Sequence, residues 1–167
     1  MDIHPAVRVG HVHLRVADLD RALAFYRDAL GFGVSADARE HGLDMVLLAA
    51  GDYHHHLGLN TFESAGATPP PAGHTGLYHV AFLYPDRREL AGAVRRLIEH
   101  DCPIDHATDH GGTVSVYLSD PDGNGVELYY DRPRADWFDA AGRFVIQAER
   151  FDPRELLASP IDPRSSS

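Results

Sequence analysis

A constant shift of 68 residues lays one half of this 167-residue chain over the other: His11, Val12, Asp18 and Arg27 fall on His79, Val80, Asp86 and Arg95. These positions are strand starts and helix caps, so one supersecondary unit occurs twice. In the first half, Arg8 to Val16 alternates with period two, with Val12, Leu14 and Val16 on one face and His11, His13 and Arg15 on the other. Asp18 then offers an N-cap, Leu19, Leu23, Tyr26 and Leu30 recur at helical spacing, and Gly31 is a helix stop. Strands are predicted over Gly33 to Ala38, Met45 to Ala50 and His54 to Asn60, with turn chemistry at Gly51-Asp52. The second half repeats this order. Tyr78 to Leu83 reads as a strand, Asp86 and Glu89 as a capping-box-like helix start, and Leu90, Val94, Leu97 and Ile98 as the helix face. Ile104 to Ala107, Thr113 to Ser119 and Gly125 to Tyr130 are the closing strands. The expected fold class is therefore α+β, with two βαβββ modules at about 8–63 and 77–133. A proline-containing linker, 64–76, carries Pro69 to Pro71 between them. A C-terminal arm, 134–167, follows with a short helix over Pro153 to Ala158.

Composition narrows the chemistry. The 44% hydrophobic and 24% charged residues are ordinary globular values, and no apolar run is long enough to span a bilayer. Fifteen basic against 25 acidic residues leave a net charge of −10, which repels phosphate backbones and anionic lipid, so no nucleic-acid or membrane partner is expected. The start, MDIHPAVRVG, lacks the basic and apolar regions of a signal peptide, and a cytoplasmic location is expected. Cys102 is the single cysteine, so there is no internal disulfide and no thiolate-rich metal site. Any metal must be held by nitrogen and oxygen. Twelve histidines point in that direction.

A catalytic divalent ion needs a few nitrogen or oxygen ligands from rigid elements, with positions left open for substrate. His11 and His79, at equivalent points on the first strand of each half, are two candidates. In SDPDGNGVELYY the turn DPDGNG feeds a strand whose one acid, Glu127, lies between Val126 and Leu128, and a carboxylate in such a pattern is costly to bury without a partner. Glu127 is the third candidate. A lone strand histidine is most often a hydrogen-bonded structural residue and a lone glutamate a solvated one; their occurrence together, at duplicated positions, is what points to a metal.

The stretches GHVHLRVADLDRALAFYRDALGF, YHVAFLYPD and YLSDPDGNGVELYYDRP resemble the vicinal oxygen chelate superfamily, which includes glyoxalases, bleomycin resistance proteins and extradiol dioxygenases. With YHHHLGLN they look most like its catechol 2,3-dioxygenase branch. The resemblance covers about residues 8–133. It implies paired βαβββ modules forming a cupped mixed sheet around a metal, with His11, His79 and Glu127 as ligands. A two-histidine, one-carboxylate set suits non-haem Fe(II), with Mn(II), Ni(II) or Zn(II) as the other ions such a site takes.

The resemblance also implies roles for other residues. Laying LLAAGDYHHHLGLN beside YLSDPDGNGVELYY sets Leu57 opposite Glu127, where glyoxalase I relatives carry a fourth ligand, so a glyoxalase-type isomerase is disfavoured. His55, two residues earlier and expected on the same strand face, stands where the dioxygenase branch has an acid-base histidine; it is equally readable as one of three adjacent histidines on a wet strand. Tyr117, ten residues before Glu127, has the spacing of the family's active-site tyrosine, against its reading as a core residue of TVSVYL. His110, in TDHGGT, resembles a further family histidine near the oxygen site, although its distance from Tyr117 departs from the family pattern. His13 shares the parity of His11 and reads most simply as a satisfied strand histidine. The function implied is extradiol cleavage of a catechol-like aromatic by Fe(II) and O2. The alternatives are a metal-dependent isomerase, epimerase or hydrolase of the superfamily, and a drug-sequestering protein of the bleomycin-resistance kind, which needs no metal. Branch members often carry two module pairs, whereas this chain has one. Sheet edges left by such modules suit a homodimer.

Overall fold

Two consecutive compact units make up the chain, Met1–Pro70 and Pro71–Ser167. The structure, a computed structural model, describes residues 2–158; the end of the expected arm, including the serine run, lies outside the described residues. Among the described residues no helix is long and apolar enough to cross a membrane.

The first unit runs β1 (Val12–Arg15), α1 (Leu19–Leu23), β2 (Gly33–Asp37), β3 (Met45–Ala49) and β4 (Leu57–Asn60). Its strands lie in the order β1-β4-β3-β2, with β1 parallel to β4 and the other pairs antiparallel. The carboxylate of Asp18 accepts the Arg21 N–H at 2.8 Å, capping α1 as its sequence position demands. The helix then widens into a π-helical segment, Ala24–Ala29, where Leu30 N–H reaches back to the Phe25 carbonyl. This extra residue per turn lets the adjacent aromatics Phe25 and Tyr26 both turn inward, edge to face at 4.9 Å. Leu14, Val16, Leu48, Leu57 and Leu59 supply the sheet's contribution to the core.

The second unit repeats the order: β5 (Val80–Tyr84), α2 (Arg87–Glu99), β6 (His106–Asp109), β7 (Thr113–Ser119) and β8 (Gly125–Asp131). Asp86 caps α2 by accepting the Glu89 N–H at 2.9 Å, and Leu90, Ala93, Val94 and Leu97 form its buried stripe. Again the first strand lies parallel to the last, in the order β5-β8-β7-β6. One strand is added at the edge: β9 (Glu149–Phe151) pairs antiparallel with β6, and α3 (Glu155–Ala158) follows it. Part of the segment expected as a C-terminal arm is thus the fifth strand of this sheet. Part of the expected linker is likewise fastened, since Ser64 Oγ donates to the Val16 carbonyl at 3.0 Å and Gly66 N–H to that of Ala17 at 2.8 Å.

Candidate functional site

The densest polar cluster of the second unit grows out of β7 and β8. The turn before β8 is pinned by the buried carboxylate of Asp120, whose Oδ1 accepts the N–H groups of Asp122 and Asn124 at 2.9 and 2.8 Å and whose Oδ2 accepts from Asn124 Nδ2 at 2.9 Å. Gly123 takes the positive φ of 79° that closes the turn. From there β8 alternates, with Val126 and Leu128 in the core and Glu127 on the opposite face. His79 immediately precedes β5, as His11 immediately precedes β1, each one residue short of the strand expected to contain it. Gly125 is what brings His79 close: a side chain there would collide with the carbonyl of Tyr78, so only glycine allows that backbone to cross.

Glu127 is shared between two partners. Its Oε2 lies 3.0 Å from His79 Nε2, and its Oε1 accepts from the Tyr117 hydroxyl at 2.8 Å. Tyr117 and Glu127 are direct cross-strand neighbours in the β7–β8 register. The Tyr117 oxygen also lies 2.9 Å from His110 Nε2, so His79, Glu127, Tyr117 and His110 form one continuous polar chain. Loss of solvent, followed by the hydrogen bond to the Glu127 carboxylate, pushes the Tyr117 phenol up to about 12. It is therefore a neutral donor across the physiological range. His106, which sequence pattern alone does not single out, stacks on Tyr117 with ring centroids 4.7 Å apart. Its position directly opposite Tyr117 on β6 is the signal that identifies it.

The residues present suit a divalent ion. Two donors each about 2.1 Å from one ion and at right angles stand about 3.0 Å apart, so the His79–Glu127 separation serves a shared ion as well as a hydrogen bond. The Glu127 side chain is 13% exposed and that of His79 30%, which leaves a carboxylate largely removed from water beside a partly exposed imidazole. Nitrogen and oxygen donors without thiolate are the chemistry of non-haem iron sites. Among the described residues, neither unit by itself gathers three His, Cys, Asp or Glu side chains as a metal group.

The first unit carries His11, His13 and His55. His55 lies in the turn before β4, not on the strand as the alternation predicted, because β4 begins only at Leu57. The His56 N–H and carbonyl are taken by the Leu48 carbonyl and the Val12 N–H, which tie this turn to β3 and β1. The His55 ring sits 4.4 Å from that of His11, and its Nδ1 is 2.7 Å from Nδ1 of His54. Loss of solvent first, then the neighbouring imidazoles led by His11, hold the His55 pKa below its usual value; the same two causes lower that of His13.

The strand register corrects the expected opposition of Leu57 and Glu127. In the parallel pair of the first unit Val12 faces Leu57 and His13 faces Gly58; in that of the second Val80 faces Val126 and Ala81 faces Glu127. With Val12 equivalent to Val80, Leu57 matches the core residue Val126, and Gly58 is the counterpart of Glu127. Leu57 is fully buried, as a core residue should be. Glycine offers no metal donor either. The space above it is filled by the imidazole of His13, whose ring atoms would lie 2.9 Å from a Cβ at position 58.

Two successive βαβββ units, each closing its first strand against its last in parallel, with a strand glutamate beside a histidine in the second, define an α+β protein of duplicated modules that carry candidate metal donors. The model of the Glyoxalase/Bleomycin resistance protein/Dioxygenase superfamily matches residues 8–128, and the chain belongs to that superfamily. It is 38% identical to a catechol-2,3-dioxygenase of Bacillus subtilis over 99% of its own length and 56% of that protein. It is 30% identical to biphenyl-2,3-diol 1,2-dioxygenase 3 of Rhodococcus globerulus over 74% of this chain and 63% of the relative. The chain thus spans less than two thirds of either relative. Among solved structures, the lactoylglutathione lyase of Agrobacterium tumefaciens matches with a TM-score of 0.57 and 28% identity, covering 76% of this chain and 96% of the lyase.

Proposed function

We propose that this protein is an extradiol-type dioxygenase that opens a catechol-like aromatic ring with O2, using Fe(II) held by His11, His79 and Glu127. The observation that carries this reading is the double engagement of Glu127 by His79 and Tyr117, with His110 behind the tyrosine, in a chain similar to dioxygenases of aromatic diols. Bound Fe(II) would supply adjacent open positions where the two diol oxygens and O2 meet. The remaining tasks fall to side chains. His55, a mostly neutral imidazole near neutral pH, accepts a proton from the diol and later returns one. The Tyr117 hydroxyl, neutral until about pH 12, donates to oxygen that gains negative charge, and His110 Nε2 lies 2.9 Å from the same hydroxyl. Both atoms of O2 enter a ring-opened semialdehyde acid.

The likeness to a lactoylglutathione lyase favours one second reading, a metal-dependent isomerase or related lyase using Mn(II), Ni(II) or Zn(II). Gly58 at the counterpart of Glu127 weighs against it, since that position provides no further carboxylate. The deciding experiment is anaerobic loading with Fe(II) followed by oxygen uptake with a panel of catechols. Uptake with ring-opened product is expected. Its absence across the panel in iron-replete protein would overturn the dioxygenase reading.

A further inference from the structure

The segment after β8 is a small hairpin clamped onto the turn that carries His110. Phe138 and Phe144 form an antiparallel bridge, Val145 N–H donates to the Trp137 carbonyl at 2.9 Å, and Asp139 Oδ1 closes the loop by accepting from Ala141 and Arg143 N–H at 2.9 and 3.0 Å. Trp137 Nε1 donates to the Arg132 carbonyl at 2.7 Å, and Arg132 pairs with Asp109 and donates its N–H to the Gly112 carbonyl. Gly111, directly after His110, admits the hairpin. A Cβ on Gly111, whose φ is +83°, would stand 2.6 Å from Val145 Cγ1, and one on Gly112 would stand 3.5 Å from the Phe144 ring. The hairpin then leads to Gln147, whose backbone carbonyl lies 3.1 Å from His110 Nδ1.

A carbonyl oxygen only accepts, so His110 Nδ1 must carry a proton. In a neutral ring Nε2 is then a bare acceptor, and it is the atom that faces Tyr117 at 2.9 Å. We propose that the 132–147 hairpin is a positioning element of the active site: through the Gln147 carbonyl it fixes His110 in the Nδ1–H tautomer and presents Nε2 as an acceptor to the Tyr117 hydroxyl. The single Tyr117 proton then has two alternative acceptors, Glu127 Oε1 at 2.8 Å and His110 Nε2 at 2.9 Å. Under the dioxygenase reading, on which the catalytic part of this inference rests, His110 Nε2 holds the Tyr117 proton when Glu127 is engaged elsewhere, until a substrate oxygen that gains negative charge competes for it. Gln147 acts through its backbone, which is why no side-chain motif in the sequence announces it.

The test reads the tautomer directly, by nitrogen-15 NMR of the histidine rings in the metal-free full chain at neutral pH, with His110→Gln for assignment. The wild type should show His110 Nδ1 protonated and Nε2 bare. Gly111→Ala drives a methyl group into Val145 and should displace the hairpin, releasing His110 to the Nε2–H form that a free side chain prefers. Gly111→Ala/Val145→Ala keeps the backbone strain at 111 but removes the colliding methyl, and should restore the wild-type signal. Under the dioxygenase reading turnover falls about 10-fold to 10²-fold in the single variant at unchanged iron content, and recovers in the double. A wild-type ring that is doubly protonated or Nε2–H, or a single variant that folds with an unchanged tautomer, overturns the inference. Tautomers that follow the expected pattern in a protein with no oxygen uptake overturn the dioxygenase reading and leave the positioning role standing.

Discussion

The two units share a fold plan, and one cross-strand pair sets them apart chemically. In the second unit the last strand supplies the large polar side chain, Glu127, beside the small Ala81 on the first strand; in the first unit the last strand has Gly58 and the first strand supplies His13. Side-chain bulk at this point is traded between neighbouring strands. The lesson is that where one module carries a carboxylate on its last strand, the other can cover the equivalent place with an imidazole from the adjacent strand. One unit keeps an acid shared by His79 and Tyr117; the other presents a group of imidazoles around His11 and His55.

This contrast can be broken in order of expected effect. Glu127→Ala removes the shared carboxylate, and metal analysis after Fe(II) loading should show strong loss of binding with oxygen uptake abolished; iron occupancy like the wild type would remove Glu127 from the ligand set. His55→Gln keeps a polar side chain of similar size in the first unit but cannot exchange a proton, so turnover should fall about 10² to 10⁴-fold at unchanged iron content. Full activity in iron-replete protein would end that role. Leu57→Ala, one residue before the true counterpart of Glu127, should cost about 2–5 kcal/mol in denaturant unfolding and leave metal content per folded molecule intact, because Leu57 is core. Gly58→Ala should cost about 1–3 kcal/mol by pressing on the His13 ring, and pairing it with His13→Ala should return most of that loss. Additive costs in the double variant would show that the two residues do not share one space. The smallest effect concerns pH. His13 and His55 have lowered pKa values in the folded protein, so the unfolded chain binds their protons more readily, and their contribution to stability is lost as pH falls below about 6.5. NMR titration of the metal-free protein should place both midpoints below that of a free imidazole, and a raised midpoint at either ring would contradict the clustering of imidazoles around His11.

Local signals make much of the fold legible. Asp18 and Asp86 announce their helices through short-range capping, and the expected inward face of α2 holds at Leu90, Val94 and Leu97, whereas Ile98, expected on that face, stands 40% exposed beside the end of the helix. What local pattern cannot supply is long-range register. Whether Leu57 or Gly58 is the counterpart of Glu127 is decided by the parallel pairing of a first strand with a last one more than forty residues on, and a one-residue slip reverses every face. His55 departs from its expected strand for a related reason: alternation continues through YHHHLGLN, but backbone pairing begins only at Leu57. His79, Tyr117, His110 and Glu127 are each nameable from the chain, and the structure joins these four by polar contacts of 2.8–3.0 Å within the second unit. Gln147 cannot be found that way, because it contributes a peptide carbonyl that every residue possesses.

The pairing of β9 with β6 also bears on how the molecule behaves toward its own copies. A sheet edge exposes a row of unpaired amides and carbonyls that can template the addition of a foreign strand. At β6 this chain spends three residues of its own tail, Glu149–Phe151, to occupy that row. The new edge is short, and it carries Glu149 and Arg150 exposed, side chains that resist dry stacking. The tail therefore acts as a stop against runaway strand addition, and shortening the chain before Glu149 would expose β6 as a nucleus for aggregation.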